Sequence, residues 1–194
     1  DEHGRTNILL LGVGGEGHEG RDLTDTLIVA NINHKDGTAS MVSIPRDLYV
    51  DSSLGGSRIN KLYEQGKIKW SSSIGADFVR ETVSDILDIP IQYYMKVDFE
   101  AFEEIVDSLD GIDISVEETI DDPLYPSDEY DYEPFYLAAG SQHLDGKTAL
   151  KYVRSRKSSS DFDRSKRQQK TLVAIKNKAQ EKNLFSRNQL LKKL

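Results

Sequence analysis

The chain contains no cysteine, which excludes a disulfide framework and a thiolate metal site. It has no apolar run approaching the ~18 residues that a membrane-spanning helix needs. Its first residues, Asp1-Glu2-His3-Gly4, lack the basic-then-apolar order of a signal sequence. A strand-like segment opens at Asn7, as expected of a soluble domain cut from a longer chain. Basic residues are missing from one long stretch: residues 97–146 hold sixteen Asp or Glu and no Lys or Arg. Residues 147–194 reverse the balance, with fifteen Lys or Arg against three acids, so the last quarter is placed to meet an anion. The net charge of −8 argues against general nucleic-acid binding.

At 194 residues, with 37% hydrophobic and 30% charged side chains, the chain is long enough for one substantial core. A single domain over residues 1–194 is the simplest count. Asn7-Ile-Leu-Leu-Leu-Gly12 has the continuous apolar pattern of a strand buried on both faces. Two more strands are expected over residues 26–32 and 39–44, joined as a hairpin through Asp36-Gly37. Helical spacing is visible over residues 59–65, 74–87, 99–109, 148–153 and 163–182. Strand patterns recur at residues 93–97 and 112–116. Residues 117–140, acidic, tyrosine-rich and interrupted by Pro123, Pro126 and Pro134, read as a long surface excursion. Strands alternating with helices predict an α/β fold, a three-layer α/β/α sandwich around a mixed sheet.

The most informative segment is Arg154-Ser-Arg156-Lys-Ser-Ser-Ser-Asp-Phe-Asp163-Arg164-Ser-Lys-Arg167-Gln168-Gln169. Guanidinium groups stay charged at physiological pH and bind phosphate through two parallel donors, so arginines meeting at one spot suit a pyrophosphate. Arg154 and Arg156 share a face if the backbone there is extended, and Arg164 and Gln168 share a face of the following helix. A solvated basic helix is the plainer reading, but the mixture of Arg, Gln and Ser favours oxyanion donors over a solubilising face.

Ser43-Ile-Pro45-Arg46-Asp47 lies where a strand runs out into a loop, the usual place for ligands of open α/β sheets. Its plainer reading is a local salt bridge at a proline turn. Thr24-Asp25-Thr26 is either a turn or an oxygen ligand for a hard cation such as Mg²⁺. The glycines of residues 12–20 permit close backbone approach to a ligand. No helix pattern and no Walker lysine follow them, which argues against a dinucleotide fold or a P-loop enzyme.

Taken in order, the first strand, Thr24-Asp25-Thr26, Val42-Ser-Ile-Pro45-Arg46-Asp47, Arg58-Ile-Asn60-Lys61, Gly140-x-x-x-Leu144-Asp-Gly146-Lys-x-Ala149-Leu150-x-Tyr152-Val-Arg154-x-Arg156 and Asp163-Arg164-x-x-Arg167-Gln168-Gln169 resemble the LytR-CpsA-Psr family. The resemblance covers nearly the whole chain. It implies an enzyme on the outer face of a bacterial plasma membrane, anchored by a segment outside this chain. Such an enzyme transfers a glycopolymer from a polyprenyl-pyrophosphate lipid to a cell-wall glycan acceptor through a phosphodiester. It also implies an apolar groove for the lipid and magnesium at the pyrophosphate. Arg46, Arg154, Arg156, Arg164, Arg167 and Gln168 would bind the pyrophosphate, with Asp25 on the metal and Asp47 close by. Arg46, Asp47, Arg154 and Arg156 would be the catalytic set.

The resemblance departs from the family pattern at two places. Val13-Gly14 stands where an acid is often found, and Leu23 stands where an arginine is often found. Glu16, His18, Arg21 and Asp22 are the nearby candidates to replace them. Candidate groove residues are Phe78, Val79, Ile86, Leu87, Phe102, Ile105 and Val106, each more commonly a core residue at such spacing. Phosphoryl transfer asks chiefly for positioning and charge neutralisation, so electrostatics are expected to dominate over base catalysis. Two other classes share these features: a polyprenyl-pyrophosphate pyrophosphatase and a non-catalytic polyanion-binding module.

Overall fold

The computed structural model describes residues 4–126, 132–155 and 161–182, which form a mixed α/β structure divided into two compact units, Asp1–Phe99 and Glu100–Leu194. In the first unit, β1 (Arg5–Gly12), β2 (Thr26–Asn33), β3 (Ala39–Ser43) and β6 (Tyr93–Val97) form one sheet in the order β3-β2-β1-β6. The β1–β2 and β2–β3 pairs are antiparallel and β1–β6 is parallel, so the sheet is mixed. The β2–β3 hairpin turns as expected, with Gly37 at φ +71° and its N–H donating to Asn33 O. In β1, Leu9 and Leu11 are fully buried, while Ile8 and Leu10 are only half-buried. The strand is therefore covered more on one face than its apolar run suggests.

The sheet's core is closed by α1 (Leu62–Lys69) and α2 (Ser72–Leu87). Leu62, Tyr63, Ala76, Val79 and Val83 join Leu9, Leu11, Leu27 and Val29 in a single cluster. The helix expected over residues 59–65 is a 3-10 turn, Ile59–Lys61, running into α1. Ser71 caps α2 by accepting from Ile74 N–H, and the helix stops at Asp88, whose φ of +51° is left-handed, two residues before Pro90. A small hairpin, β4 (Tyr49–Ser52) and β5 (Gly55–Arg58), has no apolar alternation to announce it.

In the second unit, α3 (Phe99–Ser108) is followed by β7 (Ile112–Val116), which pairs antiparallel with β10 (Gly140–Leu144). The described residues of the segment 117–140 do not form a plain surface excursion. They contain β8 (Ile120–Pro126) and β9 (Tyr132–Leu137), an antiparallel pair that buries Ile120, Asp122, Tyr125, Phe135 and Leu137. Pro123 and Pro134 sit at the register shift between the two strands and Pro126 at the end of β8, where a missing N–H costs little.

The unit is completed by α4 (Gly146–Arg154) and α5 (Asp161–Glu181). Asp145 caps α4 by accepting from Thr148 N–H at 2.8 Å. The lysines of α5, and Lys182 just past its end, meet acids that flank or lie along β7. Lys166 and Lys170 reach Glu117 at 2.7 and 3.1 Å, Lys178 reaches Asp113 at 3.1 Å, and Lys182 reaches Asp110 at 2.5 Å. Much of the positive charge counted in the last quarter is thus spent inside the unit.

Candidate functional site

Three loops of the first unit are stitched together by main-chain bonds at Asn60. Thr24 donates through its N–H and its hydroxyl to Asn60 O, at 2.9 and 3.2 Å, and Asn60 N–H donates to Arg46 O at 3.2 Å. Pro45 O accepts from Leu48 N–H and Leu48 O accepts from Ile59 N–H, which closes the corner. This scaffold presents Asp25, Arg46, Asp47 and Arg58 as a chain of alternating charge. Arg46 Nη1 donates to Asp25 Oδ1 at 2.7 Å, Arg46 Nε lies 3.7 Å from Asp47 Oδ2, and Arg58 Nη1 donates to Asp47 Oδ1 at 3.0 Å. Arg46 is mostly buried, with 18% of its side chain exposed, whereas the Asp25, Asp47 and Arg58 side chains are 45%, 46% and 62% exposed. Its Nε is buried and makes no hydrogen bond, leaving a charged donor unsatisfied at the centre of the cluster. Three of these residues were expected at the site. Arg58 was not, although Arg58-Ile-Asn60-Lys61 was among the motifs.

Magnesium is commonly held by one or two carboxylates together with substrate phosphates and water. A half-exposed Asp25 beside a guanidinium fits that donor set. Among the described residues no group of three or more His, Asp or Glu is arranged to hold a metal alone. Of the nearby candidates, Asp22 is engaged through both carboxylate oxygens by Lys67 Nζ at 2.7 Å, with Arg21 Nε 3.5 Å away. His18 packs edge-on against Phe99. Asp98 lies against Gly15, where a Cβ would come within 2.9 Å of it. It is an acid beside the glycine loop that no motif had singled out.

In the second unit, α4 runs as far as Arg154, so the extended spacing that would set Arg154 and Arg156 on one face does not hold at Arg154. Arg156 lies outside the described residues. The Arg154 guanidinium stacks 5.4 Å from the ring centre of buried Tyr125, which Lys151 also approaches at 5.6 Å. Lys151 pairs with Glu133 at 2.6 Å. Arg167 donates from Nε to Tyr152 O at 3.0 Å and from Nη2 to Ser155 O, and its guanidinium lies over the Tyr152 ring. Burial pulls the Arg167 guanidinium below its ordinary value and pushes the Tyr152 phenol up. Ser155 is held further by a 2.7 Å hydrogen bond from its hydroxyl to buried Asp122. Arg164 is 6% exposed and Gln168, four residues on, is half-buried. A concavity of about 250 Å³ beside Tyr152 and Arg167 is lined largely by charged groups, among them Glu117, Asp163, Lys166 and Lys170.

The candidate groove residues divide. Val79 and Val106 are fully buried, Phe78 and Leu87 pack partly buried against the first unit's core, and Ile86 and Ile105 are 43% and 39% exposed. Phe102 is half-buried.

A model of the LytR_cpsA_psr family matches residues 1–194. The chain belongs to that family. Among LytR-CpsA-Psr relatives, the polyisoprenyl-teichoic acid–peptidoglycan teichoic acid transferase TagU of Bacillus licheniformis is 34% identical over 183 residues, 92% of this chain and 53% of the relative. TagV of Bacillus subtilis is 35% identical over 178 residues, 87% of this chain and 42% of the relative. The chain thus spans about half the length of the curated relatives it matches. The crystal structure of B. subtilis TagV superposes with a TM-score of 0.72 at 34% identity, covering 91% of this chain and 65% of that one. The family protein YwtF (TagT) with bound octaprenyl pyrophosphate lipid superposes with a TM-score of 0.70 at 30% identity, covering 93% of this chain and 67% of that one. The mixed α/β class expected from the sequence is the class of these LytR-CpsA-Psr structures.

Proposed function

We propose that this chain is the catalytic part of a phosphotransferase that moves a glycopolymer from a polyprenyl-pyrophosphate lipid to a cell-wall glycan acceptor. The observation that carries the reading is the match to the relative holding octaprenyl pyrophosphate, in both fold and sequence, over 93% of this chain. The chain's own chemistry agrees with it. Phosphoryl transfer needs positioned cations and little covalent participation by the protein. An acceptor hydroxyl attacks the sugar-linked phosphorus, and the bond from that phosphorus to the bridging oxygen breaks. Polyprenyl phosphate leaves with that electron pair, and the hydroxyl proton passes to solvent.

In this reading Arg46 supplies a mostly buried guanidinium whose charge is not dissipated in water, oriented by Asp25 and flanked by Asp47, which Arg58 holds in turn. Asp25 would hold magnesium, which supplies charge neutralisation at the phosphates when bound. Arg154, Arg156, Arg164 and Gln168 would donate to phosphate oxygens, and Arg167 would keep the chain at Ser155 in place. The protein would act at the outer face of the plasma membrane, anchored by sequence outside this chain. The test is incubation of a labelled polyprenyl-pyrophosphoryl glycan with Mg²⁺, with and without a peptidoglycan acceptor. An acceptor-dependent phosphodiester is expected. Acceptor-independent release of phosphate would make the chain a pyrophosphatase, and binding without any product would make it a polyanion-binding module.

A further inference from the structure

We propose that the corner between α1 and α2 is a docking surface for an anionic lipid bilayer. Ile68 is 80% exposed, Ile74 50% and Trp70 41%, and they fall within seven residues of one another at the turn between the two helices. Exposed aliphatic side chains are unremarkable singly, but two isoleucines flanking a tryptophan at a helix corner form an apolar cap. Lys69 Nζ lies 5.0 Å from the centre of the Trp70 ring, and that ring packs edge-on against Phe78. Tryptophan with a neighbouring lysine is the pair suited to the bilayer interface: the ring sits at headgroup level and the ammonium reaches lipid phosphate.

Charge points to the same partner. The chain as a whole carries −8, yet residues 58–74 contain Arg58, Lys61, Lys67 and Lys69 against Glu64 alone. Arg58 is engaged by Asp47 and Lys67 by Asp22, and Asp77 on the first turns of α2 is engaged by Arg80 at 3.0 Å. Exposed Lys69 is thus the cation beside the apolar cap. A locally basic, apolar corner on an acidic protein fits an anionic surface and not a neutral one. The corner is also preformed. Gly66 and Gly75 bring the two helices into backbone contact, and Tyr63 and Ser72 hydrogen-bond through their hydroxyls at 2.7 Å. No ordering of a loose segment has to accompany docking. The proposal goes beyond the transferase reading and stands without it.

Trp70 is the single tryptophan of the chain, so its emission reports on this corner alone. Phosphatidylglycerol vesicles free of any polyprenyl lipid are expected to shift that emission to the blue, and brominated acyl chains to quench it. An Ile68→Ser, Ile74→Ser double variant, altered only at exposed positions, should keep its circular dichroism and lose partitioning at least about tenfold. Lys69→Gln should lose about fivefold, the worth of one basic residue at an anionic surface. Turnover of a detergent-dispersed substrate should be the same in the variants and the parent, which separates failed docking from failed chemistry. An emission unmoved by phosphatidylglycerol at low salt, or moved equally by phosphatidylcholine, overturns the proposal. So does a blue shift that grows with protein concentration in the absence of vesicles, which would mark the corner as a contact between copies.

Discussion

Arg46 and Asp25 meet at 2.7 Å although they come from loops on different strands, and the guanidinium in that pair is mostly buried while the carboxylate is half in water. The guanidinium, charged at any physiological pH, is aimed in part by its hydrogen bond to Asp25. Arg46→Ala should lower turnover about 10²- to 10³-fold, the usual loss when one donor to a developing oxyanion is removed. Arg46→Lys should rescue little of it, because an ammonium cannot donate to Asp25 and phosphate in the fixed directions of a guanidinium. Steady-state kinetics on a lipid-linked glycan checks both.

Asp25→Asn keeps a hydrogen-bond acceptor for Arg46 and removes the negative charge. If Asp25 holds magnesium, the variant should need a much higher Mg²⁺ concentration for half-maximal turnover, with thermal unfolding almost unchanged. A magnesium titration of parent and variant, read as rate and as melting temperature, distinguishes a metal ligand from a salt-bridge partner.

Arg167 donates to the carbonyls of Tyr152 and Ser155, at the end of α4. If Arg167 acts by positioning Ser155, as proposed, Arg167→Lys should reduce kcat while leaving KM within about threefold. Loss of substrate affinity equal to that of Arg154→Ala would instead place it on the phosphate. Asp122→Asn should mimic the kcat effect more weakly, because it keeps one hydrogen-bonding oxygen for Ser155.

Asp145 caps α4, and hydrogen bonds from Thr148 hold its carboxyl below the ordinary aspartate value. A carboxyl with a depressed folded value stabilises fully above its unfolded value and loses that contribution as pH falls through the folded one. Asp145→Ala should cost about 1 kcal/mol at neutral pH. Asp145→Asn should retain most of the cap and remove its share of the acid sensitivity below about pH 4. Urea melts at pH 7 and at pH 3 measure the difference.

Gly66 and Gly75 touch so closely that a Cβ on Gly66 would lie 2.7 Å from Gly75 Cα, and one on Gly75 would lie 2.7 Å from Lys67 N. Backbone atoms cannot swing aside as a side chain can. Ala at either position should destabilise by about 1–3 kcal/mol by forcing α1 and α2 apart. A variant with the parent's melting temperature would contradict the packing.

Among the strands legible in the sequence, β1, β2 and β7 carry apolar runs or clean alternation because their side chains are buried by their own unit, whereas β3 and β6 are mostly exposed and were legible through the Asp36-Gly37 turn and through alternation. The missed strands lack that signal. Gly55-Gly56-Ser57-Arg58 has almost no side chain to bury, and Gly140-Ser-Gln-His-Leu144 buries only Leu144. In β8 and β9 the prolines and acids hide an inner face of Ile120, Tyr125, Phe135 and Leu137. At the candidate site, Arg46 and Asp25 were legible as chemistry, but their pairing, and the inclusion of Arg58, depends on loops whose closeness no local pattern encodes. The same holds for Lys166, Lys170, Lys178 and Lys182, whose acidic partners lie some fifty to seventy positions earlier, beyond the reach of any local pattern.

The stitching at Asn60 separates shape from chemistry. Main-chain groups of residues 24, 46 and 60 hold one another, so the backbone of this corner owes little to which charged side chains it displays. Donors and acceptors there can be exchanged one at a time while the framework persists, whereas adding or deleting a single residue would unpick every seam together. A lineage altering the chemistry of this corner would therefore be expected to edit letters there and to keep the spacing between them.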